Sequence, residues 1–548
     1  MAGAAELFNG ERVVVFLFLS RVLFSVPTSL AYEAVALCLL AAAGLLIEIS
    51  VENSAAALDR FKTRLGAASG ILLATVTLPS LMFCRLIQMS REISNHETRP
   101  EWISYFSLNF WAACSCCFAV LCLFCFMMQQ YSQCISNSLC WKSRVHRYTL
   151  LCMVAFGLTC YLSFARKSSS EWYIIMNLSW LFGYGLTTII CLKHVLSTFP
   201  HSASLGEALL ISSGIVLCFG DLLTNALSKM DSTCDLALFD FLMHDSRSEI
   251  STIIQGVLVS LLLFPVFYKL CLWLWGSTNF IDAETHVVGR WMQRGIGSSI
   301  VFYASLSILL TLILPAWLNY IGDIPMHPLR WVLNFLFTES HRRIALCIYW
   351  ILVVYISVCR FYYISKNSMT ERILLRKYYH LVAVLMFVPA LIFEPDFLDL
   401  AFGAALAVFF ILEMIRVWRI WPLGHMVHQF MNAFTDHRDS EILIVSHFSL
   451  LLGCAIPKWM SSTFNDRPLA PFAGILSLGI GDTMASMVGH KYGVLRWSKT
   501  GKKTIEGTAA GITSVFASCS VLLPLLASTG YILSQIRLRV RKSCDAKR

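Results

Sequence analysis

Apolar windows long enough to cross a lipid bilayer recur along the whole chain. Inside a bilayer every backbone N–H and C=O group must be bonded within the protein, and a span of about 20 apolar residues meets that requirement as an α-helix. The windows are 13–30, 32–48, 66–88, 104–128, 148–164, 172–192, 207–228, 252–274, 298–319, 344–363, 379–393, 397–418, 442–460, 472–489 and 509–533. We therefore predict an all-α polytopic integral membrane protein with about fourteen transmembrane helices.

Composition supports the membrane interpretation and argues against a nucleic-acid partner. Of 548 residues 57% are hydrophobic and 14% charged, whereas a soluble domain has about 25% charged residues. The net charge of +10 is spread over short loops between the windows, which is typical of membrane topology rather than of a nucleic-acid surface. The 20 cysteines lie mostly inside apolar windows, so buried packing is favoured over a metal site.

One acidic residue lies inside an apolar window near the C-terminal end of the chain. Asp482 stands in the window from Phe472 to Val488, about 10 Å of helix before Gly489. An aspartate at such depth costs about 2.5 to 3.5 kcal/mol on insertion scales, so an intramembrane acid indicates a functional site. The alternative is an acid whose charge is satisfied by a neighbouring helix.

A basic, glycine-punctuated loop follows this window. Its cations are Lys491, Arg496, Lys499, Lys502 and Lys503, its glycines are Gly493 and Gly501, and it ends in Thr504, Glu506, Gly507 and Thr508. Cationic side chains beside closely approaching backbone are what a polyphosphate requires. The Walker A pattern is absent, because position 496 is arginine and no Ser or Thr directly follows Lys502. The alternative interpretation of the loop is a topology signal.

Charge asymmetry predicts that the candidate reactive groups share one face of the membrane. Loops 364–378, 416–440 and 490–507 carry twelve Lys or Arg between them, whereas 394–396 and 461–470 contain only Arg467. The positive-inside rule makes the three basic loops cytosolic. The groups on that face are Arg376, Lys377, His380, Glu413, Arg416, His425, Asp436, Arg438, Asp439, Glu441, His447 and Asp482.

Residue spacing predicts contacts within and between these helices. Glu413 and Arg416 are three residues apart, and Arg376 and His380 four apart, so each pair can share a helix face. Small residues recur at Gly481, Ala485 and Gly489, and again at Gly507, Gly511 and Ser514. Two helices are therefore expected to pack closely on either side of the basic loop.

Five motifs, in order, carry a resemblance to a known family. They are RKYYHL at 376–381, WPLGH at 421–425, FTDHRDS at 434–440, GIGDT at 479–483 and GKKTIEGT at 501–508. Together they resemble the dolichol kinase family over residues 325 to 512. The resemblance implies a multi-pass enzyme of the endoplasmic reticulum that transfers the terminal phosphoryl group of CTP to dolichol. Its product, dolichyl phosphate, supplies protein glycosylation, and the family's CTP-binding segment corresponds to Gly489–Thr508.

Phosphoryl transfer requires cations and a divalent metal ion to neutralise nucleotide phosphates, and an oriented hydroxyl. On that basis the predicted catalytic residues are Asp482, Asp436, Asp439 and His380. The predicted contacts to CTP and its phosphates are Gly489, Gly493, Arg496, Gly501, Lys502, Lys503, Thr504, Glu506, Gly507, Thr508, Arg376 and Lys377. Asp482 is the predicted ligand of Mg²⁺ or another divalent cation.

Domain organisation follows from where the motifs lie. Residues 1–365 are predicted to form an N-terminal membrane region, 366–533 a kinase-like membrane region, and 534–548 a basic C-terminal tail. Members of the family continue beyond the Glu-Gly-Thr helix into a further span with an acid and an Asp-Asn pair. Here Leu533 is followed by the basic tail, so an atypical or truncated C-terminus is expected.

Other functions remain open at this stage. A glycine-lysine loop beside an intramembrane acid does not indicate which substrate accepts the transferred group. A phytol kinase or a phosphatidate cytidylyltransferase is therefore an alternative. A polytopic transporter is a third class. Against a transporter, the charged groups gather at one face rather than at the bilayer midplane, and no inverted repeat is evident.

Overall fold

The computed structural model describes most of the chain. The described residues are 10–52, 63, 69–94, 102–134, 139–167, 170–199, 201–234, 248–278, 289–322, 324, 326–337, 341–367, 372–432, 444–461, 467–496 and 503–531. Within these ranges all regular structure is helical, and the one β-type contact is an isolated bridge between Arg496 and Thr504. The chain divides into two compact units, Met1–Ser246 and Arg247–Arg548.

The first unit is a bundle of long helices whose buried charges are paired. Its helices are α1 Gly10–Leu23, α2 Ala31–Glu52, α3 Ile71–Ser94, α4 Trp102–Cys134, α5 Leu139–Lys167, α6 Glu171–Thr198 and α7 Leu205–Cys234. Buried Arg12 donates to Glu48 at 3.0 Å, and Glu48 also accepts the Leu72 N–H at 2.8 Å. Such pairing is what a charge in an apolar bundle requires.

The second unit contains all the motifs singled out above. Its helices are α8 Glu249–Thr278, α9 Gly289–Ile308, α10 Leu314–Gly322, α11 Pro328–Phe337, α12 His341–Asn367, α13 Arg372–Phe393, α14 Pro395–Trp418, α15 Gly424–Asn432, α16 Val445–Met460, α17 Asp482–Tyr492 and α18 Ile505–Ser528. Phe402 and Phe472 lie fully buried in its core, with Leu398 and Leu526 among their neighbours. The position of the motifs predicts a domain boundary at 365/366, whereas the two compact units meet at 246/247. The boundary at 365/366 stays a prediction.

Eleven helices among the described residues are long and apolar enough to cross a membrane. Two shorter apolar helices, Lys377–Phe393 and Phe448–Met460, accompany them. These features confirm the prediction of an all-α polytopic membrane protein. The count of about fourteen spans stays a prediction. The two shorter helices could cross a bilayer only where it is locally thin, so helix length does not decide whether they are spans.

The helix that carries Asp482 is not a regular α-helix throughout. A 3₁₀ turn at Ala470–Phe472 leads into a π-helical segment, Ile475–Gly481, and α17 continues from it at Asp482. Glycines let two neighbours approach this segment closely. A Cβ on Gly474 would lie 1.9 Å from the Gly453 carbonyl oxygen in α16, and one on Gly479 would lie 2.2 Å from Val384 in α13. Asp482 thus follows directly after a π-helical turn, a local geometry often found at functional sites.

Candidate active site

Asp482 is held by a lysine from another helix. Lys377, in the second turn of α13, donates a hydrogen bond from its ammonium to Oδ2 of Asp482. Lys377 is 8% exposed, whereas the Asp482 side chain is 41% exposed. The lysine is therefore packed in the bundle, while part of the Asp482 side chain remains exposed.

His380 contacts the same carboxylate oxygen. It lies three residues after Lys377, so both side chains leave one face of α13. Its Nδ1 is 3.4 Å from Oδ2 of Asp482 and 3.1 Å from the carbonyl oxygen of Leu478. Because a carbonyl can only accept, Nδ1 carries a proton and the ring is oriented by the π-helical segment. The predicted residues Lys377, His380 and Asp482 thus form one cluster.

The two helices on either side of the basic loop pack closely, as the small-residue pattern predicts. A Cβ on Gly507 would lie 2.6 Å from the Ala485 carbonyl oxygen, and one on Gly511 would lie 3.1 Å from the Gly481 carbonyl oxygen. These separations confirm the predicted close approach of α17 and α18. Ser514 instead donates to the Gly511 carbonyl of its own helix at 2.9 Å.

The ends of the basic loop are joined through Thr504. Its side chain accepts the Gly507 N–H at 3.2 Å and caps α18, and its backbone forms the antiparallel bridge with Arg496. A Cβ on Gly493 would lie 2.6 Å from Cγ2 of Thr504, and one on Gly489 would lie 2.9 Å from its Oγ1. Packing against Thr504, and at Gly493 also against the Gly489 carbonyl oxygen, therefore accounts for both glycines. Contact of these glycines with nucleotide stays a prediction.

The cations of the loop face outward where the structure describes them. Lys491, Arg496 and Lys503 are exposed. Glu506 is partly buried and accepts the Leu495 N–H, and Thr508 donates to the Thr504 carbonyl at 3.0 Å. Several predicted site residues lie outside the described part of the chain. These are Gly501, Lys502, Asp436, Asp439 and the side chain of Arg376, which belongs to α13.

Glu413 and Arg416 form the pair that their spacing predicts. Arg416 donates through Nε at 2.8 Å and through Nη2 at 2.6 Å, one bond to each carboxylate oxygen. Glu413 also accepts the Ile444 N–H at 3.0 Å, and both side chains are buried. This pair stabilises the start of α16. Sequence reasoning missed this use of Ile444 and the use of the Leu478 carbonyl, because backbone groups carry no residue-type signal.

The donor set around Asp482 decides what kind of metal site it can form. The described residues contain no group of three or more His, Cys, Asp or Glu able to hold a metal ion. Lys377 and His380 both contact Oδ2 of Asp482. Oδ1 accepts no hydrogen bond from any residue that the structure describes. Mg²⁺ is commonly bound by one or two carboxylates together with substrate phosphates. The described residues therefore fit a metal–nucleotide complex, and among them no set of ligands forms an all-protein metal cage.

The fold and this cluster define a polytopic helical membrane protein with a basic loop that follows the helix of a lysine-paired carboxylate. The family model described as dolichol kinase matches residues 148–523. The chain belongs to the dolichol kinase family.

Three relatives illustrate the extent of the similarity. Dolichol kinase EVAN of Arabidopsis thaliana is 51% identical over 539 residues, which cover 97% of this chain and 93% of the relative. The dolichol kinase of Homo sapiens is 35% identical over 357 residues, covering 62% of this chain and 60% of the relative. That of Saccharomyces cerevisiae is 34% identical over 198 residues, covering 36% of each. No solved structure matches the chain.

Proposed function

We propose that this protein transfers the terminal phosphoryl group of CTP to the hydroxyl of dolichol, giving dolichyl phosphate for protein glycosylation. The family supplies the reaction class, and one observation carries the assignment of the site. Lys377 and His380 contact the same oxygen of Asp482, at the start of α17, and the other end of this helix leads into the basic loop. The comparisons with known proteins favour a dolichol kinase over a phytol kinase, a cytidylyltransferase or a transporter.

An enzyme that catalyses phosphoryl transfer mainly positions the two substrates and neutralises the charge of the phosphates. Asp482 would hold Mg²⁺ or a similar divalent cation through Oδ1, and a bound cation would neutralise the phosphates of CTP. Lys377 would then move from the carboxylate to a phosphate oxygen. His380 would remain oriented by the Leu478 carbonyl, and Asp436 and Asp439 would complete the polar rim.

The basic loop would hold the rest of the nucleotide. Lys502, Lys503 and Arg496 are assigned to the phosphates, with Arg376 as a further cation on α13. A charge-assisted hydrogen bond of this kind contributes about 1.5 to 3 kcal/mol. Gly489, Gly493, Gly501, Thr504, Gly507 and Thr508 would shape the loop so that its cations converge.

The membrane would hold the lipid substrate. Dolichol would lie along the apolar helices with its hydroxyl at the predicted cytosolic ends of α13 and α17, within reach of cytosolic CTP. Residence in the endoplasmic reticulum and a cytosolic basic loop are part of the proposal. The concentration of Lys and Arg in loops on one side of the second unit supports this orientation.

The test is an assay of purified protein in detergent with dolichol and CTP labelled on the terminal phosphate. We expect labelled dolichyl phosphate together with CDP. Release of pyrophosphate would indicate a cytidylyltransferase, and transfer to phytol in preference to dolichol would indicate a phytol kinase. Parallel reactions with ATP, and with a chelator in place of Mg²⁺, test the donor and the metal ion.

A further inference from the structure

The two ends of the basic loop are held together at Leu495. Its carbonyl oxygen accepts the Ile505 N–H at 2.8 Å. Its N–H points to the Glu506 carboxylate, 3.0 Å from Oε1 and 3.3 Å from Oε2. Together with the bridge between Arg496 and Thr504, these contacts form what we call the loop neck, residues 493–496 and 503–506. The Glu506 side chain joins the segment that enters the loop, residues 493–496, to the first turn of α18.

The same contacts leave little room for a phosphate at the start of α18. A helix N-terminus attracts anions through its free N–H groups and its dipole. Here the Ile505 N–H is bonded to Leu495, and those of Gly507 and Thr508 are bonded to Thr504. The carboxylate of Glu506 also lies in the first turn of the helix. A phosphate at that position would meet a like charge and few free donors.

We propose that Glu506 is a positioning residue that closes the loop neck, and that it contacts neither the nucleotide nor its metal ion. The inference rests on the proposed function, because it assigns a task within the loop that is to bind CTP. It also implies that the phosphates do not bind at the first turn of α18. Of the loop cations in the described part, Lys491, Arg496 and Lys503 all face solvent.

Two kinds of variant separate this role from ligand binding. Glu506→Gln keeps a side-chain oxygen that accepts the Leu495 N–H, but it removes the charge that a metal ion or a cationic ligand would need. Glu506→Ala removes the acceptor. Glu506→Leu also lacks a hydrogen-bond acceptor but keeps a side chain of similar size. It is used in place of the alanine variant if the alanine variant folds poorly. Thr513→Ala is the matched control, because it removes a side-chain hydrogen bond of 2.8 Å to Ala509 within α18.

The first measurement is hydrogen exchange at the Leu495 amide in detergent, without substrates. In Glu506→Ala we expect exchange to accelerate by about tenfold, the factor for one hydrogen bond to a charged acceptor. In Glu506→Gln and Thr513→Ala it should stay within about threefold of wild type. Unchanged exchange in both acceptor-free variants would overturn the proposal.

The second measurement is steady-state phosphorylation of dolichol. Glu506→Ala should raise KM for CTP by about tenfold with kcat within about threefold, and Glu506→Gln should recover most of that loss. Equal loss of kcat in the Gln and Ala variants would show a ligand role and overturn the proposal. Failure of the wild-type protein to phosphorylate dolichol would defeat the proposed function instead. The exchange comparison needs no substrate and would still decide the role of Glu506.

Discussion

Lys377 and Asp482 are 105 residues apart in the chain, and the ammonium of the lysine donates a hydrogen bond to Oδ2 of the aspartate. The contact joins the start of α13 to the start of α17. Without a ligand, the lysine is the positive charge that balances an acid set among apolar residues. The carboxylate of Asp482 therefore already holds a positive charge, the Lys377 ammonium, before any substrate binds.

Asp482→Asn is expected to abolish turnover while the protein still inserts and folds. A neutral amide is cheaper in a bilayer than a carboxylate, yet it holds Mg²⁺ weakly. Loss of one electrostatic group at a reacting centre lowers kcat by about 10² to 10³. Phosphorylation of dolichol should be measured beside size-exclusion chromatography of the variant. Near-normal kcat would assign Asp482 a structural role and move the metal site to Asp436 and Asp439.

Lys377→Met is expected to tighten divalent-cation binding in the absence of nucleotide, because a competing cation has been removed. The gain should be about two- to fivefold, the range for a partly exposed ion pair. Titration with Mn²⁺ followed by electron paramagnetic resonance measures it. Lys377→Arg keeps the charge and should remain near wild type. Weaker Mn²⁺ binding in the methionine variant would contradict the competition argument.

Lys502→Ala and Lys503→Ala are expected to raise KM for CTP far more than KM for dolichol. Each removes one charge-assisted phosphate contact, which corresponds to about 1.5 to 3 kcal/mol or roughly 10- to 150-fold. Lys193→Ala, at an exposed lysine of α6, is the charge-matched control. Initial rates over a range of both substrates give the two constants. Unchanged CTP kinetics in both loop variants would leave the loop as a topology signal.

Gly507→Ala is expected to lower the melting temperature and the activity together. The new Cβ would lie 2.6 Å from the Ala485 carbonyl oxygen, so α17 and α18 must separate. Overpacking of this kind costs about 1 to 3 kcal/mol. Gly297→Ala is the control, since a Cβ there meets nothing within 4 Å. Thermal unfolding in detergent compares the two, and equal stability would mean that the helices tolerate a wider spacing.

A reporter inserted between Arg496 and Gly501 is expected to face the cytosol. Five Lys or Arg lie in loop 490–507, and the positive-inside rule places such loops on the cytosolic side. A glycosylation acceptor at this position should remain unmodified, and an introduced cysteine should react with a membrane-impermeant reagent only after the plasma membrane is opened. Glycosylation of the reporter would place the loop beyond the reach of cytosolic CTP.

The sequence by itself determined the class of fold and the position of the basic loop. Apolar runs of spanning length require helices whatever their neighbours are, because the bilayer offers the backbone no other partner. The pairing of Glu413 with Arg416 and the close approach of α17 to α18 were also predictable. The first depends on spacing within one helix, and the second on small residues recurring every four positions.

The tertiary structure decided which charges meet. Nothing in the spacing of residues indicates that Lys377 pairs with Asp482, because that contact depends on the rotation of α13 against α17. The π-helical turn before Asp482 and the hydrogen bond from Leu495 to Glu506 are likewise products of packing. Backbone carbonyl and amide groups are the same at every residue, so the sequence carries no signal for which of them a side chain will bind.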